Sequence, residues 1–401
     1  MARENFEFGS QVLYDWETRK KYLDLPFPMS EYERRVQGLR EIMSRLRLDS
    51  VIIFGSTTDY GDLVYVSNFI PFGKASIVVP KDGEPAVVTD AILHGEPINS
   101  FAWMTWIKDF IPVSHDPEKF AGVLREILLE GNSKRIGIVG IDNVPIRIWE
   151  RLHELDLEFV DIWFEFVSFK SIRSDLEIKL QREVGAITAR AMKDAIESIS
   201  EGTSECEVAG VANGAMFKGG AHDRSFQTIV NSGPRGGLKH SYPTPRKIQR
   251  GDLVYLDMGA MKYGYQCDMS RSVVVDGADD EQREVLDVIL NAYNTLTSMM
   301  TPGRKMSEIV AKAHELEDKS GLRSKFKNRM YLGLIVHHAI ATSFFELPSL
   351  GAPDITLREN MSFAFEPMAH ILDFGTAVIE DTILITAQGA ESLTPYEIVH
   401  W

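Results

Sequence analysis

The sequence predicts two domains: an α/β N-terminal domain over residues 1–172 and an α+β C-terminal domain over residues 173–401. Three observations carry this expectation. A chain of 401 residues is long for a single hydrophobic core. Its first part alternates short β-rich runs with amphipathic helical stretches, as α/β proteins do. Near Ile172-Arg-Ser-Asp the pattern changes to long helices and then to a strand-rich series with acidic residues inside apolar strands.

In the first domain, residues 30–48 read as a helix and Ser50-Val-Ile-Ile-Phe-Gly as a buried strand. Ala75-Ser-Ile-Val-Val-Pro, Pro85-Ala-Val-Val-Thr and Arg135-Ile-Gly-Ile-Val-Gly are further strands, and residues 118–129 are helical. No phosphate loop occurs, and Gly137 with Gly140 is too sparse for a dinucleotide fingerprint. In the second domain, Ser174-Asp-Leu-Glu has the form of a helix N-terminus ahead of an amphipathic run to about residue 200. Another helix is expected over 204–218. Strands follow at 227–231, 253–259, 265–276, 362–368 and 377–386, interrupted by helices near 280–300 and 306–320.

The charge balance of 43 basic against 58 acidic residues gives a net −15, which excludes nucleic acid and anionic membranes as partners because phosphate binding needs a basic footprint. The start, Met1-Ala-Arg-Glu-Asn-Phe-Glu, lacks the apolar core of a signal peptide, and no run has the length to span a bilayer. Cys206 and Cys267 are far apart and form no CxxC pair, so neither a disulfide framework nor a thiolate zinc site is expected. A cytoplasmic location fits these features.

The chemistry is carried by acidic residues in unusual places. Asp252-Leu-Val-Tyr-Leu-Asp-Met-Gly-Ala and Tyr265-Gln-Cys-Asp-Met-Ser-Arg-Ser each hold an Asp within a β-forming run, although Asp is depleted in strands. Asp257 and Asp268 are equidistant from a hairpin centre between residues 262 and 263, which makes them direct cross-strand neighbours with Cβ atoms roughly 5 Å apart. Ser362-Phe-Ala-Phe-Glu-Pro-Met and Ala377-Val-Ile-Glu-Asp-Thr-Ile-Leu repeat the device, and a turn around Leu372-Asp-Phe-Gly brings Glu366 to Glu380. Like charges so close destabilise each other unless a cation lies between them or one is protonated. Four such carboxylates, with His338 as the imidazole, suit a pair of divalent cations about 3.5–4 Å apart. This oxygen-rich set favours manganese, cobalt, iron or zinc over copper. A single strand Asp, or the pair His337–His338 alone, is more often an ordinary edge or core feature. The four carboxylates in paired hairpins are what shift the balance.

With these residues in view, the sequence resembles the pita-bread metallopeptidase family: aminopeptidase P, prolidase, methionine aminopeptidase and the metal-free relative creatinase. Asp257 and Asp268 are eleven residues apart, His338 stands in His337-His-Ala-Ile-Ala, Glu366 precedes Pro367, and Glu380 precedes Asp381. Asn231-Ser-Gly-Pro-Arg-Gly-Gly-Leu-Lys-His matches the family's Ser-Gly-Pro…His element. The resemblance implies a creatinase/prolidase-like N-terminal domain, a pita-bread catalytic domain, two bound metals and a homodimer. It implies hydrolysis of an amide-type C–N bond in a short peptide or small molecule, as by a Xaa-Pro dipeptidase or aminopeptidase. Asp268 and Glu380 would bridge the metals, Glu366 would also shuttle a proton to the leaving nitrogen, and His240 would bind the substrate carbonyl or carboxylate.

Some positions depart from the family pattern. Phe345 stands where family peptidases place a second histidine, Leu334 where aminopeptidase P has another, and Val378 where an arginine is common. Glu346 follows the lost histidine and is a candidate for the cleft. An apolar wall of Phe345, Leu334 and Val378 would disfavour zwitterionic dipeptides. Two alternatives follow: a non-peptidase hydrolase or lyase of the same fold, and a non-catalytic peptide-binding relative.

Overall fold

The computed structural model describes residues 16–93, 96–97, 105–238, 240–334, 337–343, 346–349 and 354–401. The chain divides into two compact units, Met1–Lys170 and Ser171–Trp401. Among the described residues no helix is long and apolar enough to cross a membrane.

The first unit contains strands β1 (Ser50–Ser56), β2 (Lys74–Pro80), β3 (Ala86–Leu93), β4 (Glu96–Pro97), β5 (Asp109–Ser114), β6 (Arg135–Val139) and β7 (Glu158–Asp161). They form one sheet in the order β4-β3-β2-β1-β6-β7, with β5 also on β3. The central strand β1 runs antiparallel to β2 and parallel to β6. Its Val-Ile-Ile-Phe run is buried throughout, as expected of a strand covered on both faces. Helices α1 (Trp16–Arg19), α2 (Met29–Leu46), α3 (Gly61–Ser67), α4 (Pro117–Glu130), α5 (Ile146–His153) and α6 (Trp163–Lys170) complete this unit. Helix α4 starts with Asp116, whose side chain accepts from the Glu118 amide, and with Pro117 in the first turn. Its Phe120, Leu124 and Leu128 pack on Ile52, Val78, Val88 and Ile138 of the sheet.

In the second unit, α7 (Asp175–Glu197) opens with the expected cap. Ser174 accepts from the Glu177 amide while the Glu177 carboxylate accepts from the Ser174 amide. Helix α8 (Glu205–Lys218) repeats the device with Ser204 and Glu207. The strands are β8 (Asp223–Arg224), β9 (Ile229–Ser232), β10 (Leu253–Met258), β11 (Ala260–Lys262), β12 (Tyr265–Gln266), β13 (Met269–Val274), β14 (Met330–Gly333), β15 (His337–Ala339), β16 (Glu346–Ser349), β17 (Ser362–Phe365), β18 (Met368–Ile371), β19 (Gly375–Thr386) and β20 (Gly389–Ser392). Most of them join one sheet in the order β16-β15-β17-β19-β13-β10-β9, with β18 and β20 also on β19 and β14 on β18. A small sheet, β12-β11-β8, stands apart.

The long β19 organises this unit. Ile379, Ile383 and Ile385 enter a core with Val285, Leu286 and Ile289 of α9 (Asp280–Met299) and Ile309 and Ala313 of α10 (Met306–Ser320). A shorter helix, α11 (Leu322–Phe326), adds Leu322 and Phe326 to that core. Alternation turns Val378, Glu380 and Thr382 to the opposite face. The expected strand over 265–276 is interrupted: β12 belongs to the small sheet and β13 begins at Met269, with Cys267 and Asp268 in the bend between them.

Candidate active site

The paired strands collect the predicted residues on one face of the large sheet. Asp257 on β10 lies opposite Ser270 on β13, and Ser270 lies opposite Glu380 on β19. The β17–β19 and β18–β19 ladders share one register, in which Phe365 faces Asp381 and Met368 faces Val378. Glu366, in the two-residue break before β18, therefore stands opposite Glu380, as the sequence predicts. His338 on β15 pairs with Ala364, which pairs with Thr382. Directly opposed residues share a face, so Asp257, Ser270, Glu380, Glu366 and His338 all do.

One expected pairing is corrected. Asp257 does not oppose Asp268 directly. The turn residues are Tyr263 and Gly264, both with positive φ (51° and 80°), which is the geometry of a two-residue hairpin turn. The hairpin centre thus falls one position later than sequence symmetry places it. Asp257 meets Ser270, and Asp268 becomes its diagonal neighbour on the same face.

The carboxylates are buried and close. Single ligand atoms of Asp268, His338 and Glu380 lie within 4.8 Å of one another. His338 Nε2 is 3.6 Å from Asp268 Oδ2, and its Nδ1 is 3.3 Å from the Ala339 carbonyl. The Tyr255 hydroxyl donates to Asp257 Oδ2 at 2.6 Å, and the Ser270 hydroxyl donates to Glu380 Oε2 at 2.7 Å. The other oxygens of the same groups, Asp257 Oδ1, Asp268 Oδ1 and Glu380 Oε1, are buried with no hydrogen-bond partner among the described residues. Burial pushes Asp268 up to about 7. Burial, followed by the neighbouring Asp268 charge, holds Asp257 and Glu380 well above the usual carboxylate range. Three orphaned oxygens on crowded, desolvated carboxylates beside an imidazole are a poor arrangement for an empty core and a fitting one for divalent cations.

Glu366 is half-buried and lies outside the tight trio, within electrostatic reach of Glu380. His240 sits at φ 48° on an exposed loop after the 3₁₀ turn Gly233–Gly237. Val378 is on the carboxylate face, packed with Ile229, Tyr255 and Met368. Leu334 is not part of that wall: it is buried in the core of α9 and α10, and its amide donates to Glu317 Oε1 at 3.1 Å. Glu346 does not line an open pocket either. Its Oε2 accepts from buried Arg173 at 2.6 Å, and its Oε1 accepts from the Thr342 and Ser343 amides. A buried carboxylate needs such partners, and Arg173 supplies the charge. Phe345 lies outside the described residues.

Several residues on this face escape a reading that follows only acidic residues and family positions. Tyr255 and Ser270 orient two of the carboxylates. His370, paired with Thr376 across the β18–β19 ladder, has its ring 6.0 Å from Tyr255 and 6.1 Å from Tyr331. The signal for His370 was its spacing: four residues after Glu366, period-two alternation returns it to the same face.

A sheet that gathers buried carboxylates and a histidine with unsatisfied oxygens fits a divalent-metal centre. Residues 179–387 match the Metallopeptidase family M24, and residues 35–165 match the Creatinase/Prolidase N-terminal domain. The chain belongs to metallopeptidase family M24, and its fold is the creatinase-type N-terminal domain followed by the pita-bread catalytic domain. It is 30% identical over 368 residues to the Xaa-Pro dipeptidase of Pyrococcus furiosus, covering 91% of this chain and 99% of that relative. Among solved structures, the prolidase from Pyrococcus horikoshii OT3 matches with a TM-score of 0.76 at 26% identity, over 91% of this chain and 99% of that one. The prolidase from Pyrococcus furiosus matches with a TM-score of 0.73 at 28% identity, over 89% and 99%.

Proposed function

We propose that this metallohydrolase cleaves the amide bond of Xaa-Pro dipeptides, with Asp257, Asp268, His338, Glu366 and Glu380 holding two divalent cations. The observation that carries the reading is the set of orphaned oxygens on Asp257, Asp268 and Glu380, gathered beside His338. Its substrate class rests on relatives named Xaa-Pro dipeptidase that align along nearly their whole length. Bound divalent cations polarise a substrate carbonyl and make water a competent nucleophile near neutral pH.

The chain's own residues do the rest. Asp268 and Glu380, the most buried of the candidate ligands, would hold the cations together with Asp257 and His338. Tyr255 and Ser270 fix Asp257 and Glu380 by donating to one carboxylate oxygen of each. Glu366, only half-buried, takes the proton from the attacking water and delivers it to the leaving proline nitrogen. His240 meets the substrate carbonyl or carboxylate from the exposed loop. Manganese, cobalt, iron and zinc all suit this oxygen-rich set. A cytoplasmic homodimer, divided into domains at residues 172 and 173, completes the proposal.

The apolar surroundings of Val378 favour a second reading of the substrate, one with less charge than a zwitterionic dipeptide. A panel of Xaa-Pro dipeptides, longer Xaa-Pro peptides and small cyclic amides separates the two. Chelator-sensitive turnover of Xaa-Pro dipeptides is the expected result. Turnover of cyclic amides alone would replace the dipeptidase reading.

A further inference from the structure

Two segments that border the carboxylate face come from distant parts of the chain. One is the loop that begins with the turn Gly233–Gly237 and leads to His240. The other is the β18–β19 hairpin, which is continuous with Glu366 and carries Glu380. They meet at unusually close range. A Cβ on Gly236 would lie 3.1 Å from Gly375 Cα, and one on Gly237 would lie 2.4 Å from the Ile371 carbonyl oxygen. Backbone docks on backbone here, with no side chain between.

A polar chain crosses this contact. The Thr376 hydroxyl donates to the Gly236 carbonyl. A hydroxyl has one proton, so toward its other neighbour it is an acceptor. That neighbour is His370 Nδ1, at 2.5 Å. His370 Nδ1 therefore donates to the hydroxyl, a role assigned by the network, and His370 Nε2 lies 3.0 Å from Met368 Sδ. Both residues are buried, and they form a cross-strand pair next to the hairpin turn. On its other side the loop is tied to β9: Asn231 donates to the Leu238 carbonyl at 3.3 Å and accepts from the Ser241 hydroxyl at 2.8 Å.

We propose that His370 and Thr376 are positioning residues: their relay to the Gly236 carbonyl clasps the loop leading to His240 onto the hairpin carrying Glu380. The clasp acts on substrate placement rather than on the cation ligands, since none of its three members is a carboxylate. Its kinetic consequence rests on the dipeptidase reading. Its structural consequence does not.

The test compares Thr376→Val, which removes both hydrogen bonds at nearly constant volume, with Thr376→Ser, which keeps the hydroxyl. Amide hydrogen exchange over residues 233–238 is measured on the full chain, together with metal content and steady-state kinetics on a Xaa-Pro dipeptide. The expected result is faster exchange in Thr376→Val at unchanged metal content. Its KM rises roughly tenfold, the worth of about one hydrogen bond, with kcat nearly constant. Thr376→Ser restores both. Unchanged exchange in Thr376→Val, or an equal defect in Thr376→Ser, overturns the clasp. So does a loss of metal in step with a loss of kcat. Should the unmodified chain turn over no Xaa-Pro dipeptide, that failure belongs to the substrate assignment, and exchange still decides the clasp. If Thr376→Val does not fold, His370→Phe against His370→Asn, which keeps a donor near Nδ1, gives the same comparison.

Discussion

Ser270, rather than Asp268, faces Asp257 across the β10–β13 ladder, and its hydroxyl donates to Glu380 at 2.7 Å. A serine thus stands between two metal-binding candidates, where a hydroxyl orients carboxylates without competing for the cation. Removing such a partner costs roughly 10–100-fold in metal affinity. Ser270→Ala is expected to keep the metal stoichiometry of the unmodified chain and to weaken binding by that factor in a chelator competition assay. Unchanged affinity would assign Ser270 to packing alone.

The acid range follows from the buried carboxylates. Without metal, Asp268 holds its proton up to about pH 7, whereas the free group has a pKa of 3.8. Between these values Asp268 keeps in the folded chain a proton that it has lost in the unfolded one, so its contribution to the slope of stability against pH is negative. Metal-free protein should therefore lose stability as pH rises from about 4 to 7, by urea or thermal unfolding. Metal-loaded protein should show no such loss, and metal addition near pH 6 should release protons to a weak buffer.

Arg173 and Glu346 form a fully buried ion pair beside the turn that follows His338. Deleting one partner of such a pair leaves a charge without compensation and costs about 3–5 kcal/mol. Glu346→Ala is expected to lower unfolding stability by this amount, well beyond the effect of a typical surface substitution. A near-neutral result would place Glu346 in solvent-accessible surroundings and restore it as a pocket residue.

Glycines on α8 and at the loop contact should respond in opposite directions. A Cβ on Gly214 meets nothing within 4 Å, so Gly214→Ala should stabilise the helix by roughly 0.5–1 kcal/mol. A Cβ on Gly237 would strike the Ile371 backbone at 2.4 Å, and Gly237→Ala should destabilise by about 1–3 kcal/mol. Thermal unfolding of both variants checks the pair.

Much of this site was legible in the sequence because acidic residues inside apolar strands are locally anomalous. The Glu366–Glu380 opposition follows from hairpin symmetry alone, and Ser174 with Glu177 announces α7. Sequence symmetry misplaces the Asp257–Asp268 register by one position because a two-residue turn at Tyr263-Gly264 sets it, and its left-handed backbone is not visible in a count of positions. Short strands such as β14 and β15 carry too few residues for a period to show. Family position points Leu334 and Glu346 to the cleft, yet their directions are set by distant partners, the α9–α10 core and Arg173. The break before β18 coincides with Pro367, which has no amide to give a ladder. It leaves Glu366 between strands and partly open, which is what a proton-carrying group requires.

The account depends most on whether the carboxylate face holds metal. Equilibrium dialysis of the full chain against manganese or cobalt, followed by elemental analysis, measures this directly, with Glu380→Gln as the comparison. Two ions per unmodified chain, and a clear loss in Glu380→Gln, is the predicted result. No bound metal in the unmodified chain under saturating conditions would contradict it.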